Sequence, residues 1–180
     1  MAPQDIAQAL TQGTNDLWLT IPEGWRREQV AQYLASQEEL TAFDQAQFLT
    51  LSANFEGQLF PDTYLVSRES TAETIFNLLH QTFQKKVVVG LAEEINQAEL
   101  DFKQALTLAS IVEREAKGAN EMKQVAGILS NRLEMGMALQ ADATLQYAKV
   151  NQQQVLSPSQ IQDWWPTPLA VDKNINSPFN

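Results

Sequence analysis

The residue whose neighbours best suit acid–base chemistry is Glu113, in Leu108-Ala109-Ser110-Ile111-Val112-Glu113-Arg114-Glu115. At a helical period of about 3.6, Ala105, Leu108, Ala109, Val112 and Ala116 share one arc, with Glu113 at its edge between Ala109 and Leu106. Desolvation disfavours a charged carboxylate, so a glutamate set against an apolar groove keeps its proton nearer neutral pH and can deliver it to a leaving group. Ala109, Ser110 and Ala116 are small and leave a substrate room to approach, while Arg114 projects away from the arc into solvent. The same spacing also fits a boundary glutamate whose stem covers apolar surface while its carboxylate reaches water. This helix alone leaves both readings open.

Several elements must position it. After Glu121 a second amphipathic run places Val125, Leu129 and Leu133 on one face, and Gly136 suits its C-terminal cap. Residues 137–147 form a polar and aromatic loop opening into a short helix that Asp142 caps. Upstream, residues 1–16 are polar and irregular; 17–21 alternate as a strand, Pro22-Glu23-Gly24 turns, and Arg26 to Leu34 reads as a helix. Thr41 caps a helix holding Phe43, Ala46, Phe48, Leu49 and Leu51, and residues 54–66 read as a loop and strand punctuated by Gly57 and Pro61. Ser70-Thr71-Ala72-Glu73 has capping-box spacing and opens a helix through Ile75, Phe76, Leu79 and Phe83. The three valines of 85–91 are locally strand-like and predict a break in an otherwise helical segment.

Composition excludes several functions. Against 22 Asp and Glu stand 12 Lys and Arg, a net charge of −10 with no dense basic run, which argues against phosphate-tracking nucleic-acid binding. The absence of cysteine removes disulfides and thiolate metal sites, and one histidine, His80, cannot build a His-rich zinc site; no metal is expected. A Ser–His–Asp triad would have to run through His80, which reads by default as a helix-surface residue. No stretch reaches the roughly 20 apolar residues of a membrane span, and the N-terminus does not read as a signal peptide.

Four segments in order carry a resemblance: Glu56-Gly57-Gln58-Leu59-Phe60-Pro61-Asp62-Thr63-Tyr64; Leu108 to Glu115; Val125 to Leu133 with Gly136-Met137, then Leu139-Gln140-Ala141-Asp142-Ala143-Thr144-Leu145-Gln146-Tyr147; and Ser177-Pro178-Phe179-Asn180. Together they resemble the endolytic murein transglycosylase family, also called YceG-like, over roughly Leu17 to Asn180. The resemblance implies an α+β fold: a mostly helical catalytic domain with short strands over 41–180, preceded by a small LysM-like strand–helix lobe over 1–40. That lobe is too short for a complete glycan-binding module and reads equally as a packing appendage. The family pattern continues past Asn180, and its members are anchored by a transmembrane helix preceding this region. The expectation is therefore a piece cut at both ends, from a protein at the extracytoplasmic face of the plasma membrane.

The implied activity is lytic: cleavage of the β-1,4 bond after N-acetylmuramic acid to leave a 1,6-anhydro end, terminating nascent glycan strands beside penicillin-binding synthases. Glu113 is the implied catalytic acid. Glu56, Asp62, Tyr64, Gln140, Asp142 and Tyr147 are the implied groove residues, Tyr64 offering a sugar its flat face; for Glu56 and Asp62, turn chemistry is an equal reading. Asn131 and Arg132 match the family too, but read first as ties between helix and loop. Ala141 and Ala143 depart from the common pattern, Ser or Thr followed by Pro, which loosens the turn. Competing readings are a lysozyme-type hydrolase with Glu56, Asp62 or Asp142 as second carboxylate, and a non-catalytic glycan-binding or scaffold module. No cofactor is expected: Lys103, Lys117 and Lys123 are ordinary helix-surface lysines and no Gly-rich anion loop suits pyridoxal phosphate. Trp164-Trp165 suits a sugar platform or, preferably, a latch holding the C-terminal loop.

Overall fold

In a computed structural model of the chain, which describes residues 15–97, 100–152, 161 and 163–177, the alternating N-terminal run forms strand β1 (Asp16–Thr20). It pairs antiparallel with β2 (Thr63–Ser67), Leu19 opposite Tyr64 and Trp18 opposite Leu65. Successive side chains point to opposite faces, so Leu19, Tyr64 and Val66 are buried while Trp18 and Leu65 are exposed. Helices α1 (Arg27–Ala35), α2 (Gln45–Leu51) and α3 (Ala72–Phe83) close over the buried face. Val30, Ala31, Leu34, Phe48, Ile75 and Leu79 are almost wholly removed from water there. Residues from both sides of position 40 share this one core.

Local chemistry sets the element ends. Asp44, rather than Thr41, caps α2, its carboxylate accepting the Gln47 N–H at 2.9 Å; the Thr41 amide instead donates to the Arg68 carbonyl. Thr71, one place beyond the expected Ser70, caps α3 by accepting the Thr74 N–H at 3.3 Å. The valine run continues the helix as a π turn (Gln84–Val89) ended at Gly90, where a side chain would run into the Lys86 carbonyl. The expected break is thus a widened turn, and the backbone keeps its helical hydrogen bonds.

After α4 (Ala92–Gln97) come α5 (Phe102–Glu115), α6 (Ala119–Glu134) and α7 (Asp142–Gln152). Asp101 caps α5 reciprocally with Gln104: its carboxylate accepts the Gln104 N–H at 2.8 Å and its own N–H donates to the Gln104 side chain at 3.0 Å. Gly136, at φ 65°, ends α6, with the Met137 N–H donating to the Arg132 carbonyl at 2.8 Å. Leu108, Ile111 and Val112 pack with Leu129 and Ala141. The buried stripe of α5 therefore follows its bulky residues, and Ala109, expected on that stripe, is exposed. A short 3-10 turn (Ala170–Asn174) is tied to α7 by Lys149 and Asp172 at 2.9 Å. The fold is a helix-dominated α+β arrangement around one two-stranded sheet. No helix among the described residues is long and apolar enough to cross a membrane. The expectations for residues 1–14 and for 178–180 lie outside the described residues.

The start of α7 differs from expectation. Asp142 is its first residue, and the capping position falls to buried Ala141, which has no side-chain acceptor. Glu115 of α5 supplies one: its Oε1 accepts the Ala143 N–H at 3.1 Å. Removing a helix N-cap costs about 1 kcal/mol, so Glu115→Ala should lower unfolding free energy by about that much. Ala141→Ser should restore part of it, because its hydroxyl reaches the same amide. Urea unfolding of both single variants and the double variant checks this: a serine equally effective with and without Glu115 would mean that the two do not share the amide.

Candidate active site

Helix α5 runs past two turns of the N-terminal half. At Gly57, φ 76°, an added Cβ would stand 3.7 Å from the Leu106 side chain; at Gly24, φ 71°, one would stand 3.7 Å from Glu113 Cγ and 3.5 Å from Arg114 Nη1. Both turns thus need glycine for a left-handed backbone that meets the helix closely. Leu106 and Glu113 are seven residues apart, roughly 10 Å along the axis. Between them Ala109 and Ser110 are exposed. Exposed Ala109 and Ser110 therefore leave a surface of small residues on α5 beside half-buried Glu113.

The turn that meets Leu106 is fixed by Glu56, next to Gly57. Helix α1 follows Arg26, whose guanidinium only donates and so cannot cap it. Glu56 fills the gap: Oε1 accepts the Arg27 N–H at 3.2 Å, while Oε2 receives the Tyr147 hydroxyl at 3.4 Å and lies 3.9 Å from Arg27 Nε. Desolvation, reinforced by the Glu28 charge, pushes the Glu56 carboxyl above the ordinary glutamate range against the pull of the Arg27 amide and the two guanidinium groups. Burial and the Glu56 charge push the Tyr147 phenol up to about 12. Arg26, only 2% exposed, lies 4.0 Å over the Tyr147 ring and 5.4 Å over Trp164, and donates to the Asn151 side chain. Buried Glu28 pairs with Arg26 at 3.4 Å and Arg27 at 2.9 Å. Buried charges persist only when paired, so this knot joins α1, the Glu56 turn and α7.

The other expected site residues are dispersed. Asp62 makes its contacts with Lys86, at 2.7 Å, and with the Thr63 amide, which together hold its carboxyl below the ordinary range. Tyr64 does not present a face to a sugar: it is 7% exposed because position 64 points to the core side of β2, and its hydroxyl donates to the Phe60 carbonyl at 2.6 Å. Burial, with the Asp62 charge, raises that phenol to about 12. Gln140 is exposed in a left-handed conformation, φ 53°, and Asp142 is exposed beside it. Arg132 donates to the Leu139 carbonyl, tying α6 to this loop. A hollow lined by Glu115, Val125, Leu129, Arg132, Leu139 and Gln140 lies on the Glu115 side of α5, about 200° around the helix from Glu113.

The two tryptophans act as a latch. Trp164 is buried with Val150 and Ile161 and donates to Gln32 at 3.2 Å; Trp165 donates to Gln29 at 3.3 Å. Arg114 is exposed, as expected, yet its guanidinium lies 4.1 Å over the Trp165 ring. His80 is half-buried in an aromatic stack with Phe76 and Phe83 rather than on a free surface. Among the described residues no group of three His, Cys, Asp or Glu is arranged to hold a metal ion. Sequence reasoning missed Arg26, Arg27, Glu28 and Glu115; the signal available was that neither Arg26 nor Ala141 can cap the helix it precedes.

Helices packed about one small sheet, with a half-buried glutamate beside exposed small residues on α5, make this a helix-dominated α+β protein. The YceG-like family model matches residues 1–180, and the chain belongs to that family. An endolytic murein transglycosylase of Streptococcus pneumoniae is 28% identical over 217 aligned positions, which take in 100% of this chain and 38% of that protein. One from Bacillus subtilis is 29% identical over 127 positions, 69% of this chain and 31% of the relative. The chain thus spans well under half the length of the curated relatives it matches. A crystal structure of a YceG-like protein of Listeria monocytogenes shares the fold, with a TM-score of 0.69 at 23% identity over 100% of this chain and 64% of that one.

Glu56 holds its proton more tightly folded than unfolded, so its contribution to stability is greatest below its ordinary value of 4.5 and is lost as pH rises through the raised folded value. Glu56→Gln keeps an acceptor for the Arg27 N–H and should abolish that decline. Urea unfolding between about pH 4 and pH 7 measures it; parallel stability curves for the two proteins are the contrary outcome.

Proposed function

We propose that this chain carries the catalytic acid of an endolytic lytic transglycosylase, Glu113, acting on peptidoglycan strands. The observation that carries this reading is half-buried Glu113 beside exposed Ala109 and Ser110 and against the Gly24 turn; the names of the relatives support the substrate class. Glu113 protonates the glycosidic oxygen leaving C1 of N-acetylmuramic acid. That sugar's own 6-hydroxyl attacks C1, and the Glu113 carboxylate takes up the hydroxyl proton, leaving a 1,6-anhydro ring and a free 4-hydroxyl. Nucleophile and electrophile belong to one sugar, so positioning replaces activation of water, and one carboxylate serves as acid and then base.

Glu56 suits the role of organiser. Its charged form is disfavoured, which opposes use as the nucleophilic or basic second carboxylate of a hydrolase. Tyr147 and Glu56 are joined by a hydrogen bond at 3.4 Å, and Gln140 and Asp142 offer exposed polar groups from the loop before and at the start of α7. Glycan-strand termination beside peptidoglycan synthases, at the outer face of the plasma membrane, follows as the setting of such an activity.

Mass spectrometry of glycan strands digested by this chain, and by the chain within a longer polypeptide of the same family, tests the proposal. Anhydro-muramyl ends are expected from the parent and a loss of at least about 100-fold from Glu113→Gln, the usual scale for a general acid. Ordinary reducing ends would make it a hydrolase, and strand binding without cleavage in both forms would make it a glycan-binding module.

A further inference from the structure

We infer that Arg114 is a carboxylate-recognition residue beside Glu113, selecting the muramyl strand over an uncharged glycan; this rests on the proposed peptidoglycan substrate. Four of the five arginines are engaged: Arg26 and Arg27 with Glu28, Arg68 with Glu39, and Arg132 with the Leu139 carbonyl. Arg114 alone has neither an ion pair nor a hydrogen bond among the described residues, in a chain with ten more acidic than basic groups. It is nevertheless held in place. Its guanidinium lies 4.1 Å over Trp165, and Trp165 is fixed from both sides: its indole N–H donates to Gln29 at 3.3 Å, and its carbonyl accepts from Gln146 at 3.3 Å.

The exposed guanidinium over the ring still has N–H donors without a partner among the described residues, and its fork matches a carboxylate in a two-point contact. Position is the second part of the inference. Arg114 Nη1 and Glu113 Cγ both lie within 4 Å of the point where a Gly24 side chain would stand, so acid and cation flank the same turn. A strand engaged by Glu113 therefore passes the free edge of Arg114. Peptidoglycan offers carboxylates in two places: on the lactyl group of muramic acid once its peptide is removed, and on the stem peptide while it remains. The shared chemistry is a carboxylate carried by every second sugar, which a polymer of N-acetylglucosamine lacks.

The test uses Glu113→Gln, which keeps strands intact, with and without Arg114→Ala or Arg114→Lys. Calorimetric titration compares chito-oligosaccharides, amidase-stripped strands bearing free lactyl carboxylates, and peptide-bearing strands whose lactyl groups are amidated. Arg114→Ala should weaken binding of carboxylate-bearing strands roughly tenfold and leave chito-oligosaccharides unchanged, with Arg114→Lys recovering only part because it lacks the fork. Loss confined to stripped strands identifies the lactyl group; loss confined to peptide-bearing strands identifies the stem. Equal loss on all three ligands, no loss on any, or no measurable strand binding by Glu113→Gln alone overturns the inference. The wild-type digestion is a separate readout: absent anhydro ends alongside carboxylate-selective binding would remove the transglycosylase reading and leave Arg114 as the selecting residue.

Discussion

The first amide of α1 needs an acceptor that its own sequence does not provide, and Glu56 provides it. An uncapped helix leaves several backbone N–H groups without partners. Where the residue before a helix can cap it, as Asp44, Thr71 and Asp101 do, the helix start is a local matter. Where that residue is Arg26 or Ala141, the acceptor must come from another element, and the two elements are then locked at hydrogen-bond distance. Glu56 locks the β2 approach to α1, and Glu115 locks α5 to α7. These two carboxylates fix the relation between the helix bearing Glu113 and the parts that face it.

Burial makes the first lock stiffer. Arg26 and Glu28 are almost wholly removed from water, and their charges are tolerable only with the geometry that pairs them. The arginine also covers the Tyr147 and Trp164 rings, so loss of its position would loosen α7 and the latch together. Glu56 shares this low-dielectric surrounding with another carboxylate, which explains both its tighter hold on a proton and the weakened acidity of Tyr147. Glu113, by contrast, lies outside this knot, half-buried beside exposed small residues on α5.

Much of the fold was legible because it rests on short-range patterns. Alternation at 17–21 gave β1, Gly136 marked the end of α6, and 3.6-residue spacing gave α3 and α5, with cap positions off by a residue or a few because neighbouring Ser, Thr and Asp side chains compete for the same amides. The core face of α5 was misjudged where alanines were weighted with larger residues: Ile111 is buried and Ala109 is not, since area removed from water decides the face. Tyr64 shares the face of Val66 on β2, so strand periodicity would have assigned it to the core had its aromatic ring not also suited a sugar. The knot around Glu56 was illegible for a different reason. Its members are contributed by the N-terminus of α1, a turn before β2 and the middle of α7, and no spacing along the chain encodes their meeting.

The proposed single-acid mechanism would place two demands on the surface around Glu113. The acid would have to be reached by a sugar whose 6-hydroxyl is already near its anomeric carbon, which calls for space without slack; Gly24 and Gly57 bring their turns close to α5, and Ala109 and Ser110 leave small residues exposed between them. The strand must also be held in the correct phase, so that the bond after a muramic acid, and not the alternate bond, lies at Glu113. Small side chains alone would not distinguish the alternating sugars, because these differ chiefly in a lactyl substituent. A fixed cation beside the acid can, since a carboxylate recurs only once per repeat and its contact sets which sugar lies next to Glu113. If Arg114 reads that carboxylate as proposed, its contact with Trp165 would help set the phase in which the strand meets the acid.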